Sequence, residues 1–302
     1  MTFLLAHLSD AHIGPLPKPR ARELLGKRLT GYINWNRRGR LHDMAMLARL
    51  VADMQAQAPD HIAMTGDILN IGLTAEFPFA RDWLASLGPT HDVSFVPGNH
   101  DAYTRSSAKH VSATFAPWVS DQPASGGAHE VEFPYLRRRG DIALIGLSSA
   151  IPTAPFLASG ALGHEQRDIF DTLLAQASRE KLATVVMVHH PPNEAGASTG
   201  RGLRDARKFE DIIARHGADL VIHGHNHRSS VALLEGPRGP VPVVGVESCS
   251  AVPGTPGHRA AYHLFRFERA DAAWTITGLK RGFDPATGEF AMTRTLDLAR
   301  GH

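Results

Sequence analysis

The chain lacks several features that mark specialised classes of protein. It has one cysteine, Cys249, so no intrachain disulfide can form, and a reducing compartment is compatible with the sequence. The net charge of +2 gives no overall signature of binding to a polyanion. The first apolar run, Phe3–Leu5, is too short for the core of a signal peptide, and no run approaches the roughly 18 apolar residues that span a bilayer. We therefore expect a cytoplasmic protein, with peripheral attachment to a membrane as the alternative.

Histidine, in contrast, is present in excess. The chain has 18 histidines among 302 residues, and several of them stand beside glycine or aspartate at the ends of apolar runs. Neutral imidazole is the commonest protein ligand for transition metals. The excess therefore suggests a metal site.

Strand-like and helix-like segments alternate along most of the chain. Helical spacing of apolar residues covers Leu41–Met54, Phe77–Leu87 and Phe209–Ile213, and strand-like runs follow one another from 241 to 280. This order predicts an α/β fold of two packed sheets with helices outside. The Gly/Pro-rich stretches at 121–128 and 191–202 are interpreted as surface loops, because the motifs on either side of them must meet. We predict one domain over residues 1–302.

Five short polar motifs each follow an apolar run of the β-strand type. The runs are Phe3–Leu8, His61–Thr65, Ser94–Pro97, Thr184–Val188 and Asp219–Ile222, and a further strand is predicted at Ile142–Leu147. The motifs are, in order, Asp10-Ala11-His12, Gly66-Asp67, Gly98-Asn99-His100-Asp101, His189-His190 and Gly224-His225-Asn226-His227. Because α/β folds assemble sites from the ends of their strands, we expect these segments to meet.

The residue types in these motifs suit metal ions. Asp10 and His12 are two apart, so an extended strand end directs both side chains to the same side, and His225 and His227 repeat this spacing. The carboxylate of Asp67 has two oxygens and could serve two cations. Ligation by nitrogen and oxygen without sulfur favours Mn, Fe, Zn or Co, and the ligand types do not choose among these four.

The order of the motifs resembles the signature of the calcineurin-like metallophosphoesterase superfamily, D-x-H, G-D, G-N-H-[D/E], H and G-H-x-H. The resemblance spans about three quarters of the chain, from Asp10 to His227. It implies a four-layer α/β/β/α sandwich of two mixed β-sheets flanked by helices, and two divalent or trivalent metal ions (Mn, Fe or Zn). By position, one ion would be held by Asp10, His12, Asp67 and His227, and the other by Asp67, Asn99, His189 and His225.

The resemblance also implies a mechanism. A hydroxide held on the two metals would attack phosphorus in line with the leaving oxygen. His100 holds no metal in this assignment and would protonate the leaving oxygen or offset its charge. For Asp101 two roles stay open, a catalytic one in orienting His100 and plain turn formation. His190 is expected beside or beneath the metal ligands.

The residues that follow Asp67 narrow the expected substrate. The protein serine/threonine phosphatases have an aspartate and an arginine after Gly-Asp, and the purple acid phosphatases have a ligand tyrosine three residues after the aspartate. This chain has Ile68-Leu69-Asn70-Ile71 there. It resembles the bacterial branch that includes cyclic-nucleotide and glycerophosphodiester phosphodiesterases. We expect a phosphodiesterase; a phospholipid-directed phosphodiesterase, a phosphomonoesterase, a nuclease and a non-catalytic metal-binding scaffold are the alternatives.

An unusual basic segment lies between the first motif and the first long predicted helix, at 15–40. Its eight basic residues are opposed only by Glu23, and Tyr32 and Trp35 are among the apolar residues between them: Lys18, Arg20, Arg22, Lys27, Arg28, Arg37, Arg38 and Arg40. A helical insertion covering a sheet edge, a surface that contacts a membrane and a nucleic-acid contact are all compatible with this pattern. A lipid-facing role would favour a phospholipid or headgroup diester as substrate. Nucleic acid is the least favoured partner, and the oligomeric state is left open, a homodimer included.

Overall fold

The computed structural model describes residues 2–38, 41–119, 133–253, 258–270 and 273–299; the stretch predicted as a loop at 121–128 lies outside them. Within these ranges the α-helices are α1 (Lys27–Arg38), α2 (Met44–Ala56), α3 (Glu76–Ser86), α4 (Arg105–Phe115), α5 (His164–Arg179) and α6 (Ala206–His216). The strands are β1 (Thr2–Leu8), β2 (His61–Met64), β3 (Val93–Phe95), β4 (Tyr135–Arg139), β5 (Ile142–Gly146), β6 (Ala183–Met187), β7 (Leu220–His223), β8 (Ser230–Leu234), β9 (Val241–Gly245), β10 (Ala261–Ala270), β11 (Ala273–Asp284) and β12 (Glu289–Leu296).

The strands form two mixed sheets of six strands each. The first has the order β12-β11-β10-β1-β2-β3, in which β1, β2 and β3 are parallel and the other three are joined antiparallel. The second has the order β4-β5-β6-β7-β9-β8, in which β5, β6, β7 and β9 are parallel and the two edge strands are antiparallel. The motifs follow parallel strands of both sheets, so two sets of carboxyl ends contribute to one site.

Alternation along the strands of the second sheet shows how the layers are stacked. On β6, Val185 and Met187 belong to the core shared with the first sheet, whereas Val186 packs with the helices outside. Helices α5 and α6 supply Phe170 and Phe209 to that outer core, and α2 and α3 contribute to the core of the first sheet. Successive side chains of a strand point to opposite faces, so the sheets lie face to face between helices. The predicted α/β/β/α sandwich is confirmed.

The predicted strands are present with their ends shifted by a few residues, but some elements have no counterpart in the sequence analysis. These are α4, α5, β4, β8 and β12. The sequence of β4 lacks the alternation of apolar and polar residues that indicates a strand, because it contains three successive arginines. The side chains of Tyr135 and Arg137 are nevertheless both buried. On β12 only Phe290 and Leu296 are buried, because it is an edge strand with most of its side chains in solvent.

The basic segment at 15–40 contains helix α1, as the insertion hypothesis requires, but this helix lies beside the loops that follow β2 and β3. Its Tyr32 packs with Ile71, Leu73 and Tyr103, all of which come after the carboxyl ends of those strands. The segment therefore borders the predicted metal site. In the described part of the chain no helix is both long and apolar enough to cross a membrane.

Buried Arg137 joins the edge strands of the two sheets. It is 1% exposed on β4 of the second sheet, and its guanidinium donates to the carbonyl of Thr90 at 2.9 Å and to that of Pro117 at 3.0 Å. It also donates to the carbonyl of Val93 on β3 of the first sheet. A charged group with several buried acceptors contributes strongly when all are paired, and its removal leaves those acceptors without partners.

We predict that Arg137→Met lowers the free energy of unfolding by at least about 3 kcal/mol, because three carbonyls lose a buried charged donor. Urea denaturation followed by circular dichroism measures the effect. The matched control is Arg138→Met on the same strand, whose exposed ion pair with Glu180 is worth less than about 1 kcal/mol. Equal losses in the two variants would contradict the role assigned to Arg137.

Candidate dinuclear metal centre

The predicted ligands lie on the loops that leave the carboxyl ends of five parallel strands. Asp10 follows β1, Asp67 follows β2, Asn99 follows β3, His189 follows β6 and His225 follows β7. All of these are at most 3% exposed. The structure thus brings together residues that are up to 215 positions apart, such as Asp10 and His225, whose backbone N–H donates to Asp10 Oδ2 at 3.0 Å.

The ligand atoms form overlapping groups in which every atom lies within 4.8 Å of the others. One group is Asp10, His12 and His227, a second is Asp67, His189 and His225, and a third is His12, Asp67 and His100. The first two correspond to the two ion sites expected from the motifs. Asp67 belongs to the second and third groups, and its Oδ2 is 4.0 Å from Nε2 of His12, a member of the first group. A carboxylate shared by two ions requires such a position.

The carboxylate of Asp67 lies between residues of the two sheets. Its Oδ2 is 3.3 Å from Nε2 of His189 and 4.0 Å from Nε2 of His12. Its Oδ1 accepts the backbone N–H of His100 at 2.7 Å. Both oxygens are therefore engaged from opposite sides, and the orientation of the carboxylate is set before any ion binds.

Backbone carbonyls select which ring nitrogen of each histidine faces the site. Nδ1 of His12 donates to the carbonyl of Leu69 at 3.1 Å, and Nδ1 of His189 donates to that of Thr65 at 2.7 Å. Since a carbonyl only accepts, Nδ1 carries the hydrogen in both rings and Nε2 is left as the ligand atom. Such hydrogen bonds orient metal-binding histidines in proteins generally.

Three buried polar atoms of the predicted ligands have no hydrogen-bond partner. They are Oδ1 of Asp10, Oδ1 of Asn99 and Nε2 of His225, the first of which has only the ion pair with His227. A buried polar atom without a partner costs free energy, and metal ions would satisfy all three. Together with the aspartate and histidine donors, this shows that the residues present fit a pair of ions.

The backbone of the site is strained at several ligands. Eight non-glycine residues among those described have positive φ, and five of them are predicted ligands: Asp10, His12, Asp67, His225 and His227. Each such residue costs about 1–3 kcal/mol, and the conformation persists only where the surroundings enforce it. Strain concentrated in this way is typical of functional sites.

Two motif glycines leave room for carboxylates that approach the backbone closely. A Cβ on Gly98 would lie 2.1 Å from Oδ1 of Asp67, and a Cβ on Gly224 would lie 2.5 Å from Oδ2 of Asp10. No side chain fits at either distance. The glycines of the motifs are therefore required by the position of the two carboxylates.

The charges of the site favour ionised aspartates. Burial alone would raise the pKa of Asp67, but the charges of His189 and His100 hold it well below its ordinary value. The pKa of Asp10 is likewise low, because His227 at 3.1 Å outweighs the effect of burial. Burial opposes a charge on His189, yet Asp67 raises its pKa to about 9. The carboxylates are ready for cations, and His189 must lose its proton to become a ligand.

Asp101 supports the loop of Asp67 rather than touching the ring of His100. Its carboxylate accepts the backbone N–H groups of Asp67, Ile68, Leu69 and Gly98 at 2.8–3.0 Å. Of the two roles left open by the sequence, turn formation is the one that these hydrogen bonds show. We therefore correct its assignment as a catalytic residue to that of a positioning residue for Asp67.

Glu76, at the start of α3, positions the next stretch of the same loop. Its role was not predicted from the sequence. It is buried and accepts the backbone N–H groups of Asn70 at 2.6 Å, Ile71 at 3.3 Å and Leu73 at 2.7 Å. The carbonyl of Asn70 in turn accepts from Nδ1 of His100. An acidic residue in the first turn of a predicted helix was the only available signal. The ring centroid of His190 lies 4.5 Å from that of His225 and 5.0 Å from that of His189, and its Nδ1 is 2.7 Å from Oγ of Ser149.

His42 is a further residue at the site that no motif indicated. Its ring centroid lies 4.5 Å from that of His12, and the indole of Trp35 stacks on its other side at 5.8 Å. Burial lowers the pKa of His42 to about 4, so the ring is neutral at pH 7. His42, Trp35 and Tyr32 line a cavity of about 590 Å³ that also reaches His12. The basic segment therefore forms one wall of the site.

The sequence matches the family described as calcineurin-like phosphoesterase over residues 3–229, a stretch that contains all five motifs. The chain belongs to this family. It is accordingly a metal-dependent hydrolase of phosphoric esters, and its aspartate and histidine groups form a site of the dinuclear type.

Two curated relatives of this phosphoesterase are named as phosphodiesterases. A probable cyclic nucleotide phosphodiesterase of Synechococcus sp. is 26% identical over 234 residues, covering 76% of each chain. The glycerophosphodiester phosphodiesterase GpdQ of Enterobacter lignolyticus is 23% identical over 235 residues, covering 74% of this chain and 71% of its own.

Solved structures resemble the phosphoesterase in fold. A dimetal phosphatase from Danio rerio has a TM-score of 0.62 at 13% identity, covering 96% of this chain and 98% of its own. A purple acid phosphatase from yellow lupin has a TM-score of 0.55 at 12% identity, covering 97% of this chain and 53% of its own. At this identity the likeness bears on the fold alone.

We predict that Asp67→Ala abolishes binding of both metal ions, because its carboxylate lies beside His189 of one expected ion site and beside His12 of the other. Metal content after loading with Mn²⁺ and dialysis, measured by mass spectrometry, tests this. Asp82→Ala, at an exposed carboxylate on α3, is the control and should bind metal as the unmodified protein does. Two ions per chain in the Asp67 variant would refute the shared role.

Proposed function

We propose that the protein hydrolyses phosphodiesters at a pair of metal ions, with His100 assisting departure of the leaving group. The observation that carries this is the position of Asp67. Its Oδ2 lies 3.3 Å from Nε2 of His189 and 4.0 Å from Nε2 of His12, and its Oδ1 accepts the backbone N–H of His100. A general acid is thereby held at the edge of a site built for two cations.

The residues that would hold the ions are assigned by the order of the motifs, and the groups of neighbouring ligand atoms support this assignment. Asp10, His12, Asp67 and His227 would bind one ion, and Asp67, Asn99, His189 and His225 the other. Such a pair, when bound, polarises the phosphoryl oxygens and lowers the pKa of the attacking water. The set of nitrogen and oxygen donors favours Mn, Fe or Zn.

His100 is placed to handle the proton of the leaving group. Its Nδ1 donates to the carbonyl of Asn70, so Nε2 is the nitrogen available to a substrate. Its side chain is half-buried and lies perpendicular to the ring of His12, with centroids 4.8 Å apart. As an imidazolium, His100 would donate its Nε2 proton to the leaving oxygen as the P–O bond breaks. The His100 side chain would then be a neutral imidazole.

Two observations support a diester over a monoester. Both curated relatives are named as phosphodiesterases, one for cyclic nucleotides and one for glycerophosphodiesters. In addition, the cavity beside His12 is lined by Tyr32 and Trp35, which gives room for a substituent on the phosphate. A phosphomonoester has no second substituent to occupy that space.

We expect the Mn²⁺-loaded protein to hydrolyse bis-p-nitrophenyl phosphate faster than p-nitrophenyl phosphate, as measured by release of nitrophenolate. Preference for the monoester would overturn the diesterase assignment. No turnover of either compound at full metal occupancy would favour the non-catalytic scaffold instead.

We further expect His100→Ala to retain both ions but to lower kcat by about 10²- to 10⁴-fold, since general acid catalysis contributes about that much. The loss should be larger for an alkyl leaving group than for nitrophenolate, which needs little protonation. His110→Ala, at an exposed histidine on α4, is the matched control. Loss of metal from the His100 variant would instead place His100 among the ligands.

A further inference from the structure

Helix α1 presents two faces of different character. Its inner face is tied to the site: Arg28 donates to the carbonyl of Ile71 at 3.2 Å, and Tyr32 packs on Ile71 and Tyr103. A Cβ added at Gly31 would lie only 2.3 Å from the hydroxyl oxygen of Tyr103, so this side of the helix is closely packed. The inner face therefore fixes the orientation of the whole helix.

The outer face of α1 carries an apolar stripe in solvent. Leu29 and Ile33 are four residues apart within the helix, which places them in one row, and Leu25 precedes the helix by two residues. Leu25 is 77% exposed, and the other two are also exposed. An amphipathic helix normally turns its apolar row inward, and this row points away from the protein.

A second loop brings further apolar side chains to the same place. Lys27 donates to Oγ1 of Thr153 at 2.6 Å and to the carbonyl of Leu157 at 3.2 Å, so the loop of residues 153–157 lies against the start of α1. Phe156 at the tip of this loop is 86% exposed and has φ of 68°. Positive φ is rare for an aromatic residue, and here it accompanies a ring held out in solvent.

These side chains form one surface, which we call the α1 face: Leu25, Leu29, Ile33, Phe156 and Leu157. Only four other large apolar side chains are exposed in the described ranges, namely Leu41, Phe79, Ile169 and Met292. Isolated exposed apolar residues are ordinary, but a concentration of them marks an interaction surface.

Positive charge surrounds the α1 face. Lys18, Arg20, Arg22 and Arg37 are exposed, and Glu23 is the only acidic residue from 15 to 40. A helix that lies on a membrane has this pattern. Its apolar side chains enter the boundary of the bilayer, and the cations around them contact anionic headgroups.

We propose that the α1 face docks the protein on an anionic membrane surface. The inner face of the same helix supplies Tyr32 and Trp35 to the cavity beside His12, so docking places the mouth of the metal site next to the lipid headgroups. The long basic side chains and the apolar row would bind together, because neither feature alone gives lasting attachment.

Co-sedimentation of the metal-loaded full chain with vesicles tests the proposal. We expect binding to vesicles of equal parts phosphatidylglycerol and phosphatidylcholine, weakened when salt is raised from about 0.1 to about 0.5 M, and much weaker binding to phosphatidylcholine alone. The double variant Leu25→Ser/Phe156→Ser should lower the partition coefficient by at least about tenfold. Its matched control, Ile169→Ser/Met292→Ser, removes two exposed apolar side chains elsewhere and should bind normally.

Charge reversal provides an independent test. Arg22→Glu/Arg37→Glu should abolish binding to the anionic vesicles, whereas Arg179→Glu/Arg207→Glu, on α5 and α6, should reduce it only slightly. All four double variants should keep the near-ultraviolet circular dichroism of the unmodified protein. They should also hydrolyse soluble bis-p-nitrophenyl phosphate at the rate of the unmodified protein.

Several results would overturn the proposal. These are absence of binding by the unmodified protein, equal binding to neutral vesicles, or equal losses in the variants and their controls. A dimer in solution that Leu25→Ser/Phe156→Ser converts to a monomer would show that the α1 face joins two copies instead. Because sedimentation requires no turnover, failure of docking and failure of the proposed phosphodiesterase activity are separate outcomes.

Discussion

The site depends on one constraint, the enclosure of the Asp67 carboxylate between histidines that come from different sheets. His189 reaches it from the second sheet and His12 from the first. Burying a carboxylate is costly unless it is paired and hydrogen-bonded. The chain meets this cost with nearby histidines, with the backbone N–H of His100 and with the space left by Gly98. The strained backbone at five ligands is a consequence of the same arrangement.

Packing of the two sheets and assembly of the site are therefore one event. The core between the sheets contains Leu5 of β1 and Met187 of β6, strands whose ends lead to Asp10 and His189. Any slip of one sheet over the other would pull apart the members of each group of ligands, because both groups draw residues from both sheets. Closely packed interiors resist such displacement, and this keeps the ligand atoms within a few ångströms of one another.

Buried carboxylates hold the loops between strand and helix in place. Asp101 gathers four backbone N–H groups around the turn of Asp67, and Glu76 gathers three around the stretch that positions His100. The backbone N–H groups of these loops thus have hydrogen-bond acceptors, as they would have within a helix or a strand. Helix α1 packs on the same loops through Tyr32, so these loops support both the wall of the cavity and the ligands.

The order of the motifs along the sequence predicted the family and the layered fold. It also predicted which side chains meet at the candidate site, because Asp10, His12 and Asp67 follow strands whose apolar pattern is local. The contacts of Asp101, Glu76 and His42 were not predictable, since each depends on segments distant in the chain that meet only after folding. The same holds for β4, where Arg137 is buried against carbonyls of the other sheet. The sequence alone determined which atoms could bind metal. The tertiary structure decided how they are oriented and which face of the basic segment is left in solvent, because both depend on packing between distant elements.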